Sequence, residues 1–281
     1  MRRISAIAAI VFLTVLFVAA LVRDLPRGPH VDEIEHLHAA LLMDRGQRMF
    51  VDFAEHHPPL FPAMLMTLAP DGDDIDALKA YAARARVLAN AFLALGIVSA
   101  ALIVFRATGS LATAIAFAAL TFAAGGLWRN GLGDVRPDSP AIGLWLAGAA
   151  LILLAPRAAA RGFGLGLIVL SALIAPKWPL ASIVAGVYFL DGIRRERRAA
   201  VEGIATALLT SMAGLAALAM LSDLRLVAFH VFQITGAMVS VFDGEWMSRV
   251  FPPFFGCPPL MRPIYVVPAA AVTALALWRA R

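Results

Sequence analysis

Cysteine is nearly missing from this chain: Cys257 stands alone among 281 residues, so no internal disulfide can form and the redox compartment stays open. Lysine is scarce too, with only Lys79 and Lys177, and charged residues make up 15% of the sequence against 61% hydrophobic. A soluble domain carries roughly a quarter charged residues, so this shortage excludes one and reads as an integral membrane protein. The net charge of +5 comes almost wholly from arginines set in short gaps between apolar runs, a pattern of membrane topology and not of nucleic-acid binding. No internal repeat is evident, which argues against a transporter built from inverted repeats. His30, His36 and His38, or His56 with His57, could hold zinc beside a carboxylate, but no span carries the paired i, i+4 histidines of a helical zinc site, and no metal is assigned.

What is present is a series of apolar runs. The first, at residues 4–22 behind Arg2 and Arg3, is longer than a signal-peptide core and lacks a small-residue cleavage site, so it reads as a retained span or signal anchor. The others lie at residues 87–105, 111–127, 141–155, 162–175, 180–190, 201–221 and 264–278. The fifth and sixth runs are short for a crossing. Pro176 and Pro179 flank Lys177 and Trp178 and end helical runs on either side, so two short helices are expected here. The fold class expected is therefore all-α integral membrane, with about eight transmembrane or membrane-embedded helices. Residues 1–190 form its core and residues 191–281 add further spans and a second loop at 222–263.

With both termini cytoplasmic, the arginine-rich gaps at Arg106, Arg157, Arg161 and residues 194–198 fall inside, as basic loops prefer. The outer face then receives the loop 23–86, the turn 128–140, the Lys177 break and the segment 222–263. The aromatics of that last segment suit an interface. Four polar features on one side suggest an active site or a gated cavity.

The densest of them is the stretch 30–62, which holds Asp32, Glu33, Glu35, His36, His38, Asp52, Glu55, His56 and His57. Ionisable groups near lipid are costly and call for a reason. Val31, Ile34, Leu37, Leu41 and Leu42 recur at three- and four-residue spacings, predicting an amphipathic helix that lies on the membrane and ends at Gly46, with Asp32, Glu35 and His36 pointing elsewhere. Two readings of Asp32 and Glu33 stand side by side: first-turn acids complementing the helix dipole, and a general base with its neighbour. For Arg136 the alternatives are a pair with Asp134 or Asp138 and a cation facing a cavity. For Lys177 they are a snorkelling lysine and a site at a helix break. The acidic run Asp71, Asp73, Asp74 and Asp76 reads as a solvated turn.

An Asp-Glu pair after the first span, an amphipathic helix ending in glycine, and His57-Pro58-Pro59-Leu60 before a re-entering apolar segment together resemble the polytopic GT-C glycosyltransferases. The nearest groups in pattern are the dolichyl-phosphate-mannose protein mannosyltransferases, the lipid A aminoarabinose transferases and the bacterial enzymes around them. Arg136-Pro137-Asp138 and the lone Lys177 fit the same pattern, so the resemblance covers roughly residues 4–190.

The resemblance implies inverting transfer of a sugar from a polyprenyl-phosphate donor to an acceptor hydroxyl of a glycan, lipid or protein on the outer face of a bacterial inner membrane. It makes Asp32 the base with Glu33 beside it. Lys177, Arg136 and His57 would meet the donor phosphate, with Glu55, His56 and Asp138 in support. In the aminoarabinose transferases a basic residue precedes the Pro-Pro element, where His57 stands here. No tightly held metal or other cofactor is implied, although a loosely held divalent cation fits near Asp32 and Glu33. Transferases of this kind usually continue for several more spans, so a minimal member, a fragment and an enzyme needing a partner all stay open. A non-catalytic polyprenyl-lipid carrier or flippase, or a degenerate scaffold subunit, are the other classes.

Overall fold

Glycine and proline punctuate the apolar runs, and several helices begin or end beside them. In the computed structural model, the structure describes residues 30–72, 74–123, 134–175, 179–193 and 197–234, with scattered positions before residue 30. The described residues are all-helical, without a strand beyond one isolated bridge between Met49 and Phe53. The helices are α1 (Val31–Asp44), α2 (Leu60–Met66), α3 (Ile75–Thr108), α4 (Leu111–Ala123), α5 (Asp138–Leu154), α6 (Ala158–Ile174), α7 (Pro179–Ile193), α8 (Arg197–Leu221) and α9 (Leu224–Ala228).

Each break has a local cause. Asp74 caps α3 by accepting from the backbone N–H of Asp76 and Ala77 at 3.0 and 2.9 Å, which gives part of the acidic run a structural task. Gly109 closes the same helix with φ +67°, a left-handed end that favours glycine. Ala175, just before Pro176, is extended, as a residue preceding proline must be. The run 162–190 is thus two helices and not one kinked helix.

Two helices, Ile75–Thr108 and Arg198–Leu221, are long and apolar enough to cross a membrane. The expected runs at 111–127, 141–155, 162–175 and 180–190 fall on helices α4 to α7, which are 13 to 17 residues long. Most of the run at 4–22, the whole run at 264–278 and most of the segment 222–263 lie outside the described residues.

The chain divides into two compact units, Met1–Val227 and Ala228–Arg281. In the first, α5 packs between α3 and α6, α6 between α5 and α8, and α4 lies against α3. Small residues set these spacings. A Cβ on Gly162 would collide with the Gly203 backbone of α8, and one on Gly166 with Thr210. On the other side of α6, Gly164 and Gly148 of α5 meet carbonyl to Cα face, and Gly143 of α5 sits on the Phe92 carbonyl of α3. Ser171 Oγ donates to the Ala141 carbonyl at 2.8 Å, tying α6 to α5. Packing by close backbone approach, with a buried hydroxyl across helices, is what holds helices together where no water is expelled. The outer faces are correspondingly apolar: on α8, Leu208, Leu209, Met212 and Met220 are all exposed. Gly162→Val is expected to force α6 and α8 apart and to destabilise by about 3 kcal/mol, the upper end for overpacking, read as a lowered unfolding midpoint in detergent. A midpoint equal to wild type would mean that the two helices do not meet at this glycine.

In the second unit the described residues form a short π-helical stretch, Phe229–Ile234, with the Phe229 and His230 rings edge to face.

Candidate functional site

Helix α1 opens with a capping box that also organises the site. His30 Nδ1 accepts from the Asp32 backbone N–H at 3.4 Å, and Glu33 Oε2 accepts from the His30 N–H at 2.9 Å, so two orphan donors of the first turn are satisfied. Glu33 then does far more than cap. Its carboxylate is fully buried and accepts from Arg86 of α3 at 3.0 Å (Nε to Oε1) and 2.7 Å (Nη2 to Oε2). It also accepts from the Val135 N–H at 3.1 Å, 102 residues away. One side chain thereby pins α1, α3 and the turn before α5 together. A base must be free to take a proton, whereas this carboxylate already accepts from His30, Arg86 and Val135.

Because Val135 is held, its neighbour Arg136 is delivered to Asp32, the residue beside Glu33. Asp32 and Arg136 form a close ion pair, both partly exposed. Arg136 Nη2 also stands 3.4 Å from His30 Nδ1, and its Nε lies 3.8 Å from Asp134 Oδ2. Of the two partners expected for Arg136 within its own turn, Asp134 is therefore near, but Asp32 is nearer. Arg136 Nε is buried and makes no hydrogen bond. Asp138 begins α5 behind an N-cap at Pro137. Lys177 lies outside the described residues, and so does the expected meeting of Lys177 with Asp32.

A second cluster adjoins the first along α1. Asp32 and His36 are one helical turn apart and share a face. His36, expected to point away from the apolar stripe, is buried, and of that stripe Val31 and Ile34 are exposed while Leu37 is buried. The turn at Phe50, whose φ is +68°, brings the chain back so that His56 and His57 face α1. Glu55 Oε1 accepts from the backbone N–H of His56 and His57 at 2.8 and 3.1 Å, and from both rings at 3.1 Å. His56 Nδ1 also reaches Glu35 Oε1 at 3.1 Å. The His36 ring sits edge-on to His57 at 4.8 Å between centroids and to Phe61 at 5.4 Å. His57, expected beside a phosphate, is thus joined to Glu55 and His36.

The electrostatics follow from these contacts. Burial alone would raise the Glu33 carboxyl, but the Arg86 guanidinium and the backbone donors of His30 and Val135 outweigh it and hold it below 4.5. Burial likewise acts to raise Glu55, and the hydrogen bonds from His56 and His57 overcome it and hold the carboxyl well below the carboxylate range. Burial, with His57 second, holds the His36 imidazole down to about 4. For Glu33 the sign is clear: a lowered folded value contributes stability above its ordinary pKa, and that stability is lost as pH falls through the folded value. Unfolding midpoints of wild type are expected to drop as pH falls below about 4.5, and Glu33→Gln to drop less over that interval. Parallel curves for the two proteins would remove Glu33 as the titrating anchor.

Searches of family models, characterised proteins and solved structures return no match to this chain. Sequence reasoning passed over Arg86, which sits at the first edge of an apolar run, and weighed His36 for zinc only with His30 and His38. An arginine directly before a long apolar run is the signal that an internal carboxylate awaits it.

Proposed function

We propose that the protein is a multi-pass membrane glycosyltransferase that moves a sugar from a polyprenyl-phosphate donor to an acceptor hydroxyl on the outer face, with both termini in the cytoplasm. The observation that supports this reading above others is the Asp32–Arg136 pair, a carboxylate and a guanidinium from distant turns held together by the Glu33 clamp. The exposed apolar faces of α7 and α8 fit lipid around the bundle.

The chemistry needs these two groups together. The acceptor hydroxyl attacks the anomeric carbon while Asp32 takes its proton. The bond from that carbon to the phosphate oxygen breaks, and the phosphate leaves with the electron pair, inverting the centre. Arg136 meets the charge that grows on the leaving phosphate. Before the donor binds, Arg136 neutralises Asp32. An arriving phosphate draws the guanidinium toward itself and frees the carboxylate for the acceptor. Lys177 joins Arg136 in this reading, while His57 stays with the second cluster.

The test is transfer by the purified protein in lipid, offered a panel of polyprenyl-phosphate sugars, with anomeric configuration read in the product. Inverted product from wild type supports the proposal. Tight binding of the lipid with no transfer from any donor in the panel would make the protein a lipid carrier and overturn it.

A further inference from the structure

Beside the Asp32–Arg136 pair, the structure gathers His36, Glu55 and His57 so that one ligating atom of each lies within 4.8 Å of the others. We infer that these three residues form a binding site for a divalent transition metal, with zinc the best fit, a site to which the sequence reading assigned no metal. The inference does not depend on the glycosyltransferase proposal.

Three observations carry it. The donor set is two imidazoles and one carboxylate, the combination that leaves a fourth tetrahedral position open on zinc. Two of its members already stand at the right separation: His57 Nδ1 and Glu55 Oε1 are 3.1 Å apart, close to the edge of a tetrahedron with metal–ligand bonds of about 2.0–2.2 Å. The third member is the decisive one. His36 is 2% exposed and its Nδ1 has no hydrogen-bond partner, although leaving such an atom unpaired costs about 1–3 kcal/mol. It sits against the His57 ring, in the cluster and not facing solvent.

The three ligands are also fixed by different means. His36 is carried on α1, which the Glu33 clamp immobilises. The Glu55 carboxylate is held by the backbone N–H groups of His56 and His57. His57 is followed directly by Pro58 and Pro59, which narrow the backbone freedom on its C-terminal side. Loading requires that the His36 and His57 rings turn toward the common centre and that the His57 ring, its Nδ1 proton released to solvent or carried on Nε2 instead, exchanges its contact with Glu55 for a bond to the metal. His56, 3.1 Å from both Glu35 and Glu55, is then the group that orients the carboxylate from behind, as partners of metal ligands commonly do. A metal here would bridge α1 to the Pro58–Pro59 turn, two segments joined otherwise by packing and by the Glu35–His56 contact.

The experiment is calorimetric titration of zinc chloride into the full chain in detergent, stripped of metal by chelator, with cobalt(II) absorption as an independent readout of tetrahedral nitrogen and oxygen ligation. One equivalent is expected to bind with a dissociation constant of micromolar or below, with the cobalt form showing a tetrahedral spectrum. His36→Gln and His57→Gln are each expected to weaken binding at least about tenfold, the lower limit seen even for groups that only support ligands. His38→Gln, on the exposed side of the same helix, leaves it unchanged. Circular dichroism of each variant separates lost ligation from lost fold, and the wild-type spectrum stands whatever the variants do. No stoichiometric binding, an octahedral cobalt spectrum, or affinity undiminished in folded His36→Gln protein would each overturn the inference.

Discussion

Arg86→Met is expected to destabilise the protein by about 3–5 kcal/mol, the usual consequence of removing one partner of a buried ion pair. Both groups are almost wholly buried, 3% exposed for the arginine side chain and 1% for the Glu33 carboxylate, so neither can turn to solvent when the other is lost. The unpaired carboxylate would be left inside α1, α3 and the 134–136 turn. Unfolding in mixed micelles, followed by circular dichroism at constant detergent composition, measures the loss. A change below about 1 kcal/mol, the range of exposed pairs, would mean that water reaches this pair and that it does not clamp the three segments.

The double variant Arg86→Met with Glu33→Leu sharpens the same point. Replacing an isolated buried pair by apolar residues is often neutral or stabilising. Here it is expected to remain destabilised, because the Glu33 carboxylate also accepts from the backbone N–H of Val135 and His30, and a buried donor left without a partner costs about 1–3 kcal/mol. The residual destabilisation is thus a measure of the clamp rather than of the pair. Full recovery would show that the backbone contacts contribute little.

How much of this was legible beforehand depends on whether the determinant was local. The apolar runs and the break at Pro176 foretold the apolar parts of helices α3 to α8, because hydrophobic length and backbone restriction act within a few residues, whereas residues 75–86, expected in the loop 23–86, form the start of α3. The amphipathic helix before Gly46 was legible for the same reason. Its orientation was not: periodicity identifies a face but not what covers it, and a stripe of Val31 and Ile34 can meet lipid as well as protein. What receives the other face is likewise not written in the spacing: His36 is buried among His57 and Phe61. Glu33 was grouped with Asp32 by adjacency alone. Adjacent residues on a helix diverge by about 100°, and that divergence sends one carboxylate into the Arg86 clamp and leaves the other half-exposed beside Arg136. The glycines of α6 look like weak points in a helix until Gly203 and Thr210 are seen against them.

Asp32→Asn is expected to lower transfer by about 10²–10⁴-fold, the usual contribution of a positioned general base, with fold and donor binding retained. The substitution keeps the size of the side chain and leaves Glu33, Arg86 and Val135 untouched, so the frame that presents residue 32 stays in place. It removes the proton acceptor, and it also removes the negative charge that occupies Arg136 when the site is empty. Those two effects have opposite signs on different steps. Loss of the base slows the chemical step and lowers kcat. Release of Arg136 strengthens its attraction to the donor phosphate and lowers the donor Kd, since a guanidinium no longer shared between two anions is wholly available to one. Arg136→Gln reverses the pattern, weakening the donor while leaving Asp32 unpaired. A binding measurement with the lipid-phosphate sugar, set beside initial rates for the same two variants, separates base from counter-ion. Undiminished turnover in the Asn variant would remove Asp32 from the chemistry. A donor affinity that falls with both substitutions would show that the ion pair serves the fold and not the phosphate.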